Sequence, residues 1–109
     1  MLKTLLDLGF KEVDAKVYLF LRSMGPQKGK DIADSLKLHK QQLYRSLKRL
    51  KNKRIVNSDE HPAVFSSISF EKVLDVFLEV KKEQADDLQE SREELLSRWQ
   101  DITKKDNSN

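Results

Sequence analysis

The side chains that could do chemistry are concentrated in one stretch, KLHKQQLYRSLKRLKNKR, from Lys37 to Arg54. It holds eight Lys or Arg residues and no acid. That inventory suits a polyanion: lysine ammoniums bind phosphate oxygens as point charges, the arginine fork matches the O6/N7 edge of guanine, and glutamine matches the N6/N7 edge of adenine. On this reasoning Gln41, Gln42 and Arg45 are the candidate base readers, and Lys40, Tyr44, Lys48 and Arg49 the candidate phosphate holders. Leu43, Leu47 and Leu50 recur at helical spacing within the same run. At about 100° per residue they share a narrow arc, with Gln41, Arg45, Lys48 and Asn52 opposite. One face is suited to a core and the other to phosphate, although a solvated basic face would have the same composition.

Other chemistries find little support. With no cysteine there is no disulfide, thiolate zinc site or cysteine nucleophile. The only histidines, His39 and His61, have no second ligand at metal-binding spacing and read as a turn residue and a wing residue. Three scattered glycines form no phosphate-cradling loop, and no Ser, His and Asp arrangement suggests a nucleophile. No enzyme activity, cofactor, metal or small-molecule ligand is expected.

The elements that must position the basic run follow from periodicity. Leu2, Leu5, Leu6 and Leu8 make a short apolar helix ended by Gly9. Val13, Val17, Phe20, Leu21 and Met24 mark a second helix over 12–24, with Glu12 and Asp14 in its first turn and Gly25-Pro26 behind it. Gly29 reads as the N-cap of a short helix over 30–36, with Ile32, Ala33 and Leu36 inward. Lys37, Leu38 and His39 then connect tightly to the basic helix over 40–53, a helix-turn-helix arrangement. Neither Lys11 nor His39 is a good N-cap, so both helix starts should fray. Two short strands, 55–58 and 63–68, flank a turn at Asp59-Glu60-His61-Pro62 and form a wing. Its acidic tip argues against insertion into a minor groove.

The quoted segments LGFKEVDAKVYLFLRSMGP and KDIADSLKLHKQQLYRSLKRLKNKRIV, with the hairpin and long helix behind them, closely resemble the winged helix-turn-helix domain of TrmB-like archaeal transcriptional regulators. DAKVYLFL and LYRSLKRL are the most specific parts, the likeness covers about residues 2–75, and the MarR and ArsR groups are similar more distantly. The resemblance implies dimeric operator binding through the second helix of the motif. Full-length TrmB regulators continue into a sugar-binding domain, and these residues are expected to carry no counterpart of it.

Charge divides the chain in the same way. Residues 1–69 hold fourteen Lys/Arg against seven Asp/Glu, a balance of +7, whereas residues 70–109 hold seven against eleven, a balance of −4. In the second part Leu74, Leu78, Lys81, Ala85, Leu88, Arg92, Leu95, Trp99 and Ile102 follow alternating steps of four and three. This is a heptad seam with seven apolar positions, in which Lys81 and Arg92 would fix register or orientation. Phe70, Val73, Phe77 and Val80 form a second stripe on the first turns only. A helix over 70–104 would be about 50 Å long at 1.5 Å per residue, more than a seventy-residue head can cover. A second copy of the chain is the simplest cover, with Leu74, Leu78, Ala85, Leu88, Leu95, Trp99 and Ile102 as dimerisation residues; the alternative is one amphipathic helix folded back on its own head.

The expected fold is therefore mainly α with a small β-hairpin: a winged helix-turn-helix domain (1–69), a long coiled-coil dimerisation helix (70–104) and a disordered tail (105–109). The expected function is a dimeric, sequence-specific DNA-binding transcriptional regulator with the 40–53 helix in the major groove of double-stranded DNA. A winged-helix protein-assembly module and a non-specific chromatin-type DNA-coating protein remain alternatives. With no apolar run of membrane-spanning length and no secretory signal at the N-terminus, the expectation is a cytoplasmic protein without a membrane partner.

Overall fold

A computed structural model describes residues 1–60 and 63–107. Its elements run α1 (Leu2–Asp7), α2 (Glu12–Met24), β1 (Gln27–Lys28), α3 (Gly29–Leu36), α4 (Lys40–Asn52), β2 (Val56–Glu60), β3 (Ala63–Ser67), α5 (Phe70–Glu90) and α6 (Arg92–Asn107). The chain forms two compact units, Met1–Leu74 and Asp75–Asn109. The first is a winged helix, in which three helices, α2, α3 and α4, pack with a small antiparallel sheet of order β1-β3-β2.

Periodicity explains why α2 is central. Ala15, Val17, Tyr18 and Leu21 are all buried, and α2 packs against α1, α3, α4 and β3. The Phe10 ring meets that of Tyr18 at 5.8 Å between centroids, and the Tyr18 hydroxyl donates to the Ile68 carbonyl at 2.9 Å. Burial pushes the Tyr18 phenol above its usual pKa, partly offset by the Arg22 cation nearby. Arg22 in turn donates through Nη1 to the Ser67 carbonyl at 3.2 Å. These two bonds tie α2 to the segment at the end of β3.

The short elements depart from the expectations in ways that packing explains. Gly29 is not an N-cap but the first residue of α3, with Lys28 as N-cap. It is fully covered, and a Cβ there would stand 2.8 Å from the Tyr44 hydroxyl, so glycine leaves room for that ring. Gln27 and Lys28, to which the sequence analysis assigns no element, form a third strand pairing with Phe65 and Val64. Asp59 and Glu60 are not turn residues but the last two of β2, opposite Val64 and Ala63. The remaining turn residues, His61 and Pro62, lie outside the described residues.

The second unit holds most of α5 and all of α6. The single long helix expected over 70–104 is interrupted at Ser91, where the bonds across the junction are Ser91 N–H to the Asp87 carbonyl at 3.0 Å and Leu95 N–H to the Ser91 carbonyl at 2.9 Å. Helical backbone continues to Asn107, into the stretch expected as a tail, whose last residues Ser108 and Asn109 lie outside the described residues. Among the described residues no helix is long and apolar enough to cross a membrane.

Candidate nucleic-acid interface

The amphipathic pattern of α4 holds in three dimensions. Leu43, Ser46, Leu47 and Leu50 are buried, while Lys40, Gln41, Gln42, Tyr44, Arg45 and Lys48 are exposed. No acid lies in its first turn, and Arg49 and Lys51 fall in the last, where the helix dipole favours cations. The approach to α4 is a tight turn. Lys37 takes left-handed backbone at φ 55°, and Leu38 N–H closes onto the Ala33 carbonyl at 2.9 Å, so only three residues separate α3 from α4.

The first turn of α4 is better held than the sequence suggested. Gln42 occupies the third helical position, and its Oε1 accepts the His39 backbone N–H at 3.2 Å. This is the glutamine half of a capping box. The His-x-x-Gln spacing is visible in the sequence, and the bond engages the side-chain oxygen of Gln42, one of the candidate base readers. By contrast, Lys11 gives α2 no side-chain cap, in line with the sequence.

Arg49, expected among the phosphate holders, makes its contacts within the head. Its Nε stands 3.0 Å from Asp14 Oδ2 and its Nη2 stands 2.8 Å from Asp14 Oδ1, a two-pronged contact with a carboxylate that is 1% exposed. The Ser46 hydroxyl donates to the same Oδ1 at 2.6 Å. A buried carboxylate must be paired and hydrogen-bonded, and α4 supplies both partners one turn apart. The hydrogen bonds it donates to Asp14 hold the Arg49 guanidinium above its ordinary pKa, partial burial opposing them and the Asp14 charge assisting. Asp14 had been read only as a helix-dipole acid. The sequence separation of 35 hides this pairing from any local pattern.

Tyr44 lies at the other side of α4. Its ring meets Phe65 of β3 edge-on at 6.3 Å, and it remains 45% exposed, so it contributes both to packing and to the surface. Between α4 and the hairpin runs a groove of about 440 Å³, lined among others by Tyr44, Lys48, Lys51, Ser58, Glu60 and Phe65. One acid of β2, Glu60, thus lines the same groove as two lysines of α4.

The second candidate surface, in the C-terminal unit, is uncovered. Leu78, Leu88 and Trp99 are 67%, 63% and 62% exposed, and Leu74, Ala85, Leu95 and Ile102 are exposed as well. Of the second stripe Val73 is fully buried, Phe70 and Phe77 are half-buried and Val80 is exposed. Among the described residues no cluster of His, Asp and Glu could hold a metal ion.

Comparison with known proteins agrees with this architecture. A possible transcriptional regulator from Methanosarcina mazei Go1 has a similar structure, with a TM-score of 0.63 and 19% identity over 80% of this chain and 80% of that one. A structure of disulfide-formed AbfR is similar at a TM-score of 0.56 and 19% identity, over 87% of this chain and 78% of that one. At such identity the likeness is one of fold, and the present chain has no cysteine with which to form a disulfide. No curated protein matches. The model of the sugar-specific transcriptional regulator TrmB matches residues 5–71, from α1 into α5 and more than half of the chain. A winged helix with an exposed, acid-free basic helix, matched over that stretch, belongs to the TrmB family of DNA-binding transcriptional regulators.

Proposed function

We propose that this TrmB-family regulator binds operator DNA as a homodimer, with α4 of each copy in successive major grooves about 34 Å apart. The observation that carries the reading is the exposed face of α4, which presents Lys40, Gln41, Arg45 and Lys48 over a floor of buried leucines. Gln41 and Arg45 read bases, while Lys40, Tyr44 and Lys48 hold phosphates. Gln42 instead holds the first turn of α4, and Arg49 fixes the helix on α2; both roles rest on the bonds described above. Residues 1–69 act as the DNA-binding head and 70–104 as the dimerisation segment, with double-stranded DNA and a second copy as the partners. The acidic Glu60 beside the groove favours a wing that stays out of the minor groove.

Two measurements test this. Affinity for duplex DNA should fall steeply with salt, with a slope corresponding to at least about four phosphates per dimer, because the exposed cations displace condensed counterions. Affinity unchanged between low and moderate salt would refute DNA binding. Arg45→Ala should then lose about 1–3 kcal/mol on the best site and relax preference at one base position, whereas Lys48→Ala should weaken all sequences alike. Both side chains are exposed, so neither change should alter the melting temperature. An Arg45→Ala protein with intact base preference would remove Arg45 from readout, and wild-type binding that ignores sequence would favour a chromatin-type coating protein.

A further inference from the structure

The uncovered surface of the C-terminal unit carries information about how a second copy sits on it. Ala85 and Leu88 of α5 line one groove of about 520 Å³ together with Arg92 and Leu95 of α6, so four successive seam positions converge on it from both sides of Ser91. Gln89 and Leu96 complete the lining. The seam contains two cations, Lys81 and Arg92, and no acid.

These cations discriminate between the ways two copies can pair. In a parallel, in-register pair each seam residue faces its own counterpart, so Lys81 would meet the partner's Lys81 and Arg92 the partner's Arg92. Both layers would oppose like charges in a partly desolvated interface. An antiparallel pair matches one kind of seam position with the other, and its register decides which residues meet. One register sets Lys81 against the partner's Arg92 and repeats the clash. The register shifted by one heptad removes it. There Leu78 faces the partner's Ile102, Lys81 the partner's Trp99, Ala85 the partner's Leu95, and Leu88 the partner's Arg92.

Every layer of that register is chemically reasonable. An ammonium over an indole face is a favourable cation–π contact. The small side chain of Ala85 leaves room for a leucine. Arg92 can lay its methylene stem along the partner's Leu88 and keep its charged end in water. Registers shifted further in either direction lose layers from the ends. The favoured two-fold axis also passes between Leu88 and Arg92, at the middle of the groove, as an isologous contact requires.

We propose that the occupant of this groove is the same groove of a second copy, with the C-terminal helices antiparallel and Lys81 stacked on the partner's Trp99. The proposal rests on the homodimeric reading above and adds orientation and register to it.

The absence of cysteine makes the test clean, because each introduced thiol is the only one in its chain. Lys81→Cys and Trp99→Cys proteins, one carrying a size tag, would be co-refolded and mildly oxidised. The expected product is the mixed disulfide, with little self-linking of either variant, and with Ser91→Cys, close to the axis, linking to itself. Leu78→Cys should remain unlinked, since its own counterpart lies far along the partner helix. Sedimentation of the unmodified chain distinguishes the two levels of failure. A monomer at micromolar concentration overturns the homodimer and this pairing with it. A dimer in which Leu78→Cys and Trp99→Cys each link to themselves overturns the antiparallel orientation alone, and a dimer giving neither set of products overturns the assigned surface.

Discussion

Arg49→Ala is expected to lower the melting temperature of the head more than any substitution on the exposed face of α4. The change strands Asp14, 1% exposed, with only the Ser46 hydroxyl for company. Removing one partner of a buried ion pair costs about 3–5 kcal/mol, and the Arg49 side chain is 33% exposed, so solvent screening places this case at the lower end. For a domain of this size about 3 kcal/mol corresponds to a fall on the order of 10–20 °C. Arg49→Lys should recover only part of it, because one ammonium cannot reproduce a two-pronged contact with both carboxylate oxygens. Thermal melts followed by circular dichroism would report the loss. A variant that melts with the wild type, yet loses about one unit of salt slope on DNA, would return Arg49 to the phosphate-binding set.

Leu95→Asp should have the larger effect on DNA binding without touching the head. It introduces a carboxylate into the uncovered groove of the C-terminal unit, at a layer where the proposed pairing offers Ala85 and no cation. Leu88→Asp is a weaker test, since the same register would bring the new carboxylate beside the partner's Arg92. The Leu95→Asp protein should sediment as a monomer and keep the melting temperature of its head. Its affinity for a two-half-site operator should fall by about a hundredfold or more, because the second head no longer binds at high effective concentration. A Leu95→Asp protein that remains dimeric would move the partner surface elsewhere, for which exposed Leu6 on α1 is a candidate.

The parts of this structure legible in the sequence are those set by local rules. α2 runs from Glu12 to Met24 as its apolar spacing and the following Gly25-Pro26 require. The leucine face of α4 is buried as its spacing implies. What was not legible depends on partners distant in the chain. A two-residue strand such as β1 has no period to read, and it forms because β3 offers it an edge. Gly29 reads equally well as a cap or as a first helical residue, and the distant Tyr44 hydroxyl that leaves no room for a side chain there has no local signal. The same limit hid the partner of Arg49. Arg49 lies among eight cations that look alike in composition, and only the fold reveals which one faces a buried acid.

That buried contact divides α4 into residues free to vary and residues that are not. Asp14, Ser46 and Arg49 form one unit spanning two helices, so a change at any of them asks for compensation at the others. Gln41, Arg45 and Lys48, exposed on the outer face, make no such demand. On the proposed readout, operator preference can therefore diversify among descendants of this chain by single substitutions at Gln41 and Arg45, and overall affinity by substitution at Lys48, without rebuilding the head. Conversely, α4 transplanted into another winged scaffold would carry its exposed basic face with it but lose its seating, unless an acid equivalent to Asp14 waited in the host.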